Sequence, residues 1–197
     1  MIITGNYFNK YTSRNPLVRF LLKRFVRTYL SLTALANGDR WLDVGCGEGY
    51  LLSILHKKEP HWKITGIDIG DEELALARKA LPDQRFVKGQ AYELPFKDDS
   101  FDLVAANEVL EHVKKPSRML KEMKRVSSKY VLISVPNEPW FRIANVIRMK
   151  YLYRLGDTPG HVQNFSKRSL ERLLEKQFKT VLVKNALIWN FALCVKK

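Results

Sequence analysis

Residues 107–113, NEVLEHV, place Glu108, Glu111 and His112 as E-x-x-E-H, and a further histidine, His161, follows in GHVQNFS. Carboxylates and imidazoles are the side chains that take a proton from a reacting group near neutral pH, histidine most often. Positions three and four apart share a face across a turn of helix, so these groups are expected to converge. A second stretch lies upstream. WLDVGCGEGY, residues 41–50, sets Gly45, Gly47 and Gly49 at alternating positions after an apolar run, where a ligand can approach the backbone closely. A dinucleotide loop would read G-x-G-x-x-G, but Tyr50 stands where its third glycine would be. A phosphate loop would need a lysine, and this one has none. Asp43 and Glu48 flank the turn; carboxylates there repel a pyrophosphate and favour a ligand that carries positive charge.

Those residues have to be held by regular elements, and the hydropathy pattern supplies them. Residues 17–32 repeat apolar positions at helical spacing with Arg19, Lys23, Arg24 and Arg27 between, an amphipathic helix. From there strands and helices alternate: strand 40–44, helix 50–58, strand 63–69, helix 71–81, strands 85–89 and 101–107, helix 117–126, strand 130–136. Such alternation predicts a parallel sheet covered on both faces. After Pro136 the rhythm changes. Residues 139–156 read as a second basic, aromatic-rich helix, 167–178 as another helix, and TVLVKN with ALIWNFALCV as two closing antiparallel strands. In such sheets the ligand binds at the carboxyl ends of the strands, where a glycine loop after the first strand belongs.

The 197 residues suffice for one domain with a real core. The net charge of +14 is unevenly placed: residues 1–40 carry seven bases and one acid, 41–112 eight and fourteen, and 113–197 nineteen and five. A basic excess favours anionic partners, whether membrane surface, nucleic acid or an anionic substrate, without choosing among them. Cys46 and Cys194 form neither a disulfide framework nor a metal pattern, which predicts two reduced thiols. No apolar run is long enough to span a bilayer and the opening residues lack a signal-peptide pattern, so the expected place is cytoplasmic or peripheral at the membrane.

S-adenosylmethionine is a ligand of the required kind, with a sulfonium, an α-amino group and no phosphate. DVGCGEGY resembles motif I of the class I S-adenosylmethionine-dependent methyltransferases of small-molecule type, and the other motifs follow in order. GIDIG ends the second strand with Asp68 and Ile69, and the resemblance implies that the Asp68 carboxylate accepts both ribose hydroxyls. GQAYELPF (89–96) resembles the adenine-reading loop. Gln90 stands there where the family commonly has Asp, and its side-chain carbonyl can still accept from the adenine amino group. FDLVAANEVLEHV (101–113) resembles the fourth strand and its loop. The resemblance implies a seven-stranded, mostly parallel, Rossmann-like α/β sheet with an antiparallel C-terminal hairpin and helices on both faces. It also implies one methyltransferase domain over 1–197: an N-terminal lid helix (1–36), a cofactor-binding core (37–135), a lid insertion (136–166) and a closing helix and hairpin (167–197). The cofactor residues carried over are Asp43, Gly45, Cys46, Gly47, Tyr50, Asp68, Ile69, Gln90, Ala91, Asn107 and Glu108.

Methyl transfer from a sulfonium is an in-line displacement, for which alignment supplies much of the rate. An oxygen nucleophile must also lose a proton, to a base or with the help of a metal. His161 and His112 are the candidate catalytic residues. The E-x-x-E-H with the distant histidine is similar to the divalent-metal site of small-RNA 3′-terminal 2′-O-methyltransferases, and ubiquinone-pathway O-methyltransferases carry a comparable E-x-x-E-H. That resemblance implies Glu108, Glu111, His112 and His161 as ligands of Mg²⁺, Mn²⁺ or Zn²⁺. In other methyltransferases a similar LEH stretch has no metal, its Glu and His simply hydrogen-bonding, and this alternative stays open. The two basic helices suit a membrane interface and a lid that admits a prenyl or acyl chain. The expected reaction is therefore O-methylation of a small-molecule or lipid-linked acceptor, with an anionic membrane surface as a partner. RNA ranks second, since arginines and aromatics also stack on bases but no RNA-binding module is appended. A soluble anionic metabolite would use the same bases, and a non-catalytic protein that keeps the cofactor pocket is the remaining reading.

Overall fold

A computed structural model describes residues 13–147, 149 and 151–197. The reading of the opening residues as lacking a leader, and the first third of the 1–36 lid segment, lie outside the described residues. Helix α1 (Pro16–Thr33) begins at Asn15, whose side chain accepts from the amides of Leu17 and Val18, and it carries proline in its first turn. Val18, Leu21, Phe25, Tyr29 and Leu32 form its buried stripe, spaced by three and four. The stripe packs on the sheet: Phe25 lies edge-on to Trp189 at 5.1 Å, and Tyr29 lies 5.9 Å from Trp41.

The alternating core follows as β1 (Arg40–Val44), α2 (Tyr50–Lys58), β2 (Lys63–Asp68), α3 (Asp71–Ala80), β3 (Arg85–Lys88), β4 (Phe101–Asn107), α4 (Pro116–Val126) and β5 (Ser127–Pro136). Acids open α3 and bases close it, as the helix dipole favours. After α5 (Trp140–Ile147) come α6 (Lys167–Glu175), β6 (Phe178–Asn185) and β7 (Trp189–Lys196). Ser166 and Ser169 cap α6 reciprocally. The seven strands lie in the order β3-β2-β1-β4-β5-β7-β6. Pairings among β1 to β5 are parallel, while β7 runs antiparallel between β5 and β6. The fold class expected from the sequence is the one observed.

Alternate residues of each strand face opposite layers. Trp41, Ile64, Leu103, Leu132 and Phe191 join the α1 side, whereas Leu42, Val44, Val104, Ile133 and Cys194 join the α4 and α6 side. Cys46 and Cys194 are both buried and free; burial pushes the Cys194 thiol up to about 12 and raises Cys46 as well.

One expectation fails. Residues 139–156 do not form a single helix: α5 stops at Ile147, Met149, Tyr151 and Leu155 take left-handed φ, and Leu152–Arg154 makes one 3₁₀ turn. The buried Asn145 donates through Nδ2 to the Gly156 carbonyl at 2.9 Å, turning the chain back on α5. Gly156 (φ +79) sits so close that a Cβ there would fall 2.3 Å from the Arg142 carbonyl oxygen. In a continuous helix those two residues would be about 21 Å apart. A tertiary contact has overridden the local periodicity.

Candidate active site

Between β1 and β4 the strand order switches, the position at which open α/β sheets form a ligand crevice beside the carboxyl ends of their strands. The glycine loop lies there. The amides of Gly45 and Cys46 both donate to the Ile67 carbonyl, at 2.7 and 3.1 Å, fastening the loop across the end of β2. Gly45 and Gly47 have φ of +75 and +51, where glycine is favoured. Their surroundings differ. A Cβ on Gly45 would lie 2.5 Å from Val109 Cγ2, whereas one on Gly47 would meet nothing within 4 Å. The face of Gly47 is therefore open. Cys46 turns its thiol inward against Gly66, so only its backbone lines the loop.

The acids stand as the sequence places them, at the ends of β1 and β2. Asp68 accepts the Gly47 amide at Oδ2 (2.8 Å) and the Gly70 amide at Oδ1 (3.0 Å), coupling the second strand to the loop. Asp43 is buried; Asn107 Nδ2 donates to its Oδ1 at 3.2 Å, and Ser134 Oγ donates to Asn107 Oδ1 at 3.2 Å. This polar chain crosses three strands. Burial pushes the Asp43 carboxyl up to about 7; the Asn107 bond opposes the rise and the charge of Asp68 adds to it. Ile69 and Ala91 are half-buried, Gln90 is exposed just past β3, and Tyr50 opens α2 after the left-handed Gly49. Ten of the eleven residues expected at the cofactor lie at the carboxyl ends of β1 to β4 or in the loops that follow, and Tyr50 is the first residue of α2.

Across the crevice lies the second cluster. Glu108 follows β4 with φ +55, and its Oε1 accepts the indole N–H of Trp189 at 2.8 Å. Leu110–His112 is a single 3₁₀ turn whose Glu111 carbonyl receives the amides of Val162 and Gln163, at 2.9 and 3.2 Å. Those bonds bring the loop with His161 over the turn. His112 Nδ1 lies 3.1 Å from the Gly160 carbonyl oxygen. A carbonyl only accepts, so Nδ1 carries hydrogen and the acceptor of the neutral ring is Nε2. The rings of His112 and His161 are 5.0 Å apart, edge to face. Ligand-type atoms of Glu111, His112 and His161 all lie within 4.8 Å of one another.

Glu108 is not in that group, which corrects the expected four-residue set. The spacing rule assumed one helical turn through 108–112, but the left-handed residue and the short 3₁₀ turn send Glu108 to Trp189 instead. Sequence reasoning also missed Trp189 and Phe141. Phe141 sits 6.1 Å from His161 and 6.0 Å from Trp189, so it links the histidine pair to the start of β7. Hairpin register was the available signal: Trp189 pairs with Pro136, which places it at the carboxyl end of β5.

A separate cavity of about 390 Å³ lies at the opposite, amino-terminal edge of the sheet, lined by Arg40, Lys63, Arg85 and Lys97 among others. It shares no residue with either cluster.

Comparison with known proteins agrees with this geometry. A family model described as a methyltransferase domain matches residues 42–132. A demethylmenaquinone methyltransferase from Thermotoga maritima is 32% identical over 118 residues, 59% of this chain and 52% of that protein. The chain thus spans about half the length, or less, of the curated relatives it matches first. Among solved structures, a Pyrococcus horikoshii protein superposes with a TM-score of 0.70 at 18% identity, covering 97% of each chain. The magnesium protoporphyrin IX methyltransferase of Synechocystis, solved with bound S-adenosylhomocysteine, gives 0.67 at 16% identity over 94% of this chain and 89% of that one. The matched core is thus similar to a methyltransferase domain, and the topology is that of the solved structures on which the chain superposes.

Proposed function

We propose that the protein transfers a methyl group from S-adenosylmethionine to an oxygen of a small-molecule or lipid-linked acceptor. The observation that carries this reading is the pairing, across one crevice, of an acidic, lysine-free glycine loop with two histidines whose rings are 5.0 Å apart. The residues present fit the cofactor. Gly47 leaves open space where a Cβ would stand, and Asp43 and Asp68 suit a cation. When bound, S-adenosylmethionine supplies a methyl group on a sulfonium that a nucleophile displaces in line.

The chain's own residues do the rest. Asp68 takes the ribose hydroxyls, Gln90 accepts from the adenine amino group, and Tyr50, Ile69, Ala91 and Asn107 frame them. Phe141 and Trp189 flank the acceptor and exclude water from its far side. His112 Nε2, set as an acceptor by the Gly160 carbonyl, or His161 beside it, takes the proton that the attacking hydroxyl loses. Curated relatives named demethylmenaquinone methyltransferases support a small-molecule acceptor.

A second reading of the histidine cluster rests on its geometry. One carboxylate and two imidazoles within 4.8 Å fit the donor set of a divalent ion with open positions, and a carbonyl on the outer nitrogen of His112 is the usual support of such a ligand. The ion would hold the acceptor oxygen and lower its pKa. Titration calorimetry with S-adenosylhomocysteine tests the pocket: one site per chain supports the proposal, and absence of heat overturns it. Mass spectrometry of extracts incubated with labelled methyl donor then identifies the acceptor. Zn²⁺ and Mn²⁺ titrations of the apoprotein, compared with Glu111→Gln, decide between bound ion and free base.

A further inference from the structure

Helix α5 has two apolar sides with different fates. Its inner side carries Phe141, which meets His161 and Trp189, and the buried Asn145, which holds Gly156. Its outer side leaves Ile143, Val146 and Ile147 exposed, Ile147 by 69%. The returning segment extends that surface with Tyr153 and Leu155, exposed by 81% and 75%. Pro139, Arg142, Ile143, Val146, Ile147 and Leu155 line one apolar groove of about 310 Å³. A lone exposed leucine needs no explanation, but a contiguous apolar surface on a small chain marks a binding face.

Charge decides what binds there. Residues 139–156 contain four bases, Arg142, Arg148, Lys150 and Arg154, and no acid. Arg154 is held 3.1 Å from Asp157, just outside the segment. Aliphatic side chains among arginines, with Trp140 and Tyr153 beside them, match the boundary between headgroups and acyl chains of an anionic bilayer. A second copy of a +14 chain would bring like charge to the same face and be repelled. Nucleic acid would use the bases but gain nothing from exposed Ile147 and Leu155.

We propose that the outer face of α5 and the returning segment through Leu155 seat the protein on an anionic lipid bilayer. The same helix walls the acceptor side of the crevice through Phe141. An amphiphilic acceptor therefore leaves its hydrocarbon chain in the bilayer or the groove and presents its polar head beside His161. This rests on the methyltransferase reading above for the acceptor, but not for the docking.

Flotation on a density gradient tests it, with vesicles of phosphatidylcholine alone and of equal parts phosphatidylcholine and phosphatidylglycerol. The wild type is expected to float with the anionic vesicles and to stay at the bottom with the neutral ones. Ile147→Asp with Leu155→Asp should lower anionic-vesicle binding by roughly a hundredfold, the loss of two buried aliphatic side chains. Leu76→Asp, an exposed leucine on α3, should leave it unchanged. S-adenosylhomocysteine titration of every variant reports the fold and the cofactor pocket independently. Wild-type protein that stays at the bottom with anionic vesicles, or a double variant that binds the cofactor product and floats like wild type, overturns the docking. A chain that floats as expected but binds no S-adenosylhomocysteine upholds the docking and overturns the methyltransferase reading alone.

Discussion

Trp189 donates its indole N–H to Glu108 Oε1 at 2.8 Å, joining the first residue of β7 to the residue that follows β4. Eighty-one positions separate them in sequence. The bond fixes a carboxylate on a left-handed residue, and the indole packs against Phe141.

Trp189→Phe keeps most of the ring area and removes the donor. Loss of a hydrogen bond to a half-buried carboxylate costs about 1–3 kcal/mol, a fall of several degrees in Tm. The expected signature is turnover lowered about tenfold or more with S-adenosylhomocysteine affinity nearly unchanged, because the indole lies on the acceptor side. Calorimetry and steady-state kinetics on one preparation check it; equal losses in both would move Trp189 to the cofactor side.

Gly45 and Gly47 differ by what a methyl group would meet. Gly47→Ala suffers the left-handed backbone penalty, about 1 kcal/mol, and clashes with nothing of the protein. It should fold, with a Tm within a few degrees of wild type, and bind S-adenosylhomocysteine at least about tenfold more weakly. Gly45→Ala drives its Cβ to 2.5 Å from Val109 Cγ2 and should lower Tm well beyond Gly47→Ala. Thermal melts and calorimetry on the two variants separate a ligand-facing glycine from a packing one.

The layered sheet and the strand-end positions of the glycine loop, Asp68 and Gln90 were legible because both are local. Alternating strands and helices write themselves as hydropathy periods, and the loop, Asp68 and Gln90 each follow a strand end. Three features were not local. The β7 strand lies between β5 and β6, an arrangement that a hairpin pattern alone does not distinguish from a simple meander. The segment 139–156 keeps helical periodicity, yet Asn145 pulls Gly156 back across eleven residues. Glu108 obeys the spacing of a helical face but lies on no helix, since Leu110–His112 is one 3₁₀ turn. In the last two, a contact between distant residues overrides a correct local pattern.

Asp43 gives the crevice a pH dependence with a definite sign. Its carboxyl sits at about 7 in the folded chain, raised by burial and by Asp68 and opposed by the Asn107 bond, against about 4 when unfolded. Between those values the native chain holds the extra proton, so this group's contribution to stability is complete below about pH 4 and is lost as pH rises through about 7. Asp43→Asn should flatten that part of the Tm–pH curve. A bound cation favours the carboxylate, so S-adenosylmethionine should release a proton at about pH 6 and bind more tightly as pH rises toward 8. Calorimetry in two buffers of different ionisation enthalpy reads that proton directly. S-adenosylhomocysteine, which lacks the sulfonium, should release less, and Asp43→Asn none.

The two histidines should separate by role. His112 is oriented by the Gly160 carbonyl through Nδ1, which leaves Nε2 as the proton acceptor, while His161 packs against Phe141 and the His112 ring. Loss of a general base lowers turnover by about 10²–10⁴. His112→Ala and His161→Ala should both leave S-adenosylhomocysteine affinity intact, and the base is the one whose loss brings that fall. His112→Asn, whose side-chain amide can still donate to the Gly160 carbonyl, preserves the loop anchor without a titrating nitrogen. Turnover as low as in His112→Ala assigns the proton to His112. Recovery toward wild type shows that His112 only positions the loop, and that His161 takes the proton.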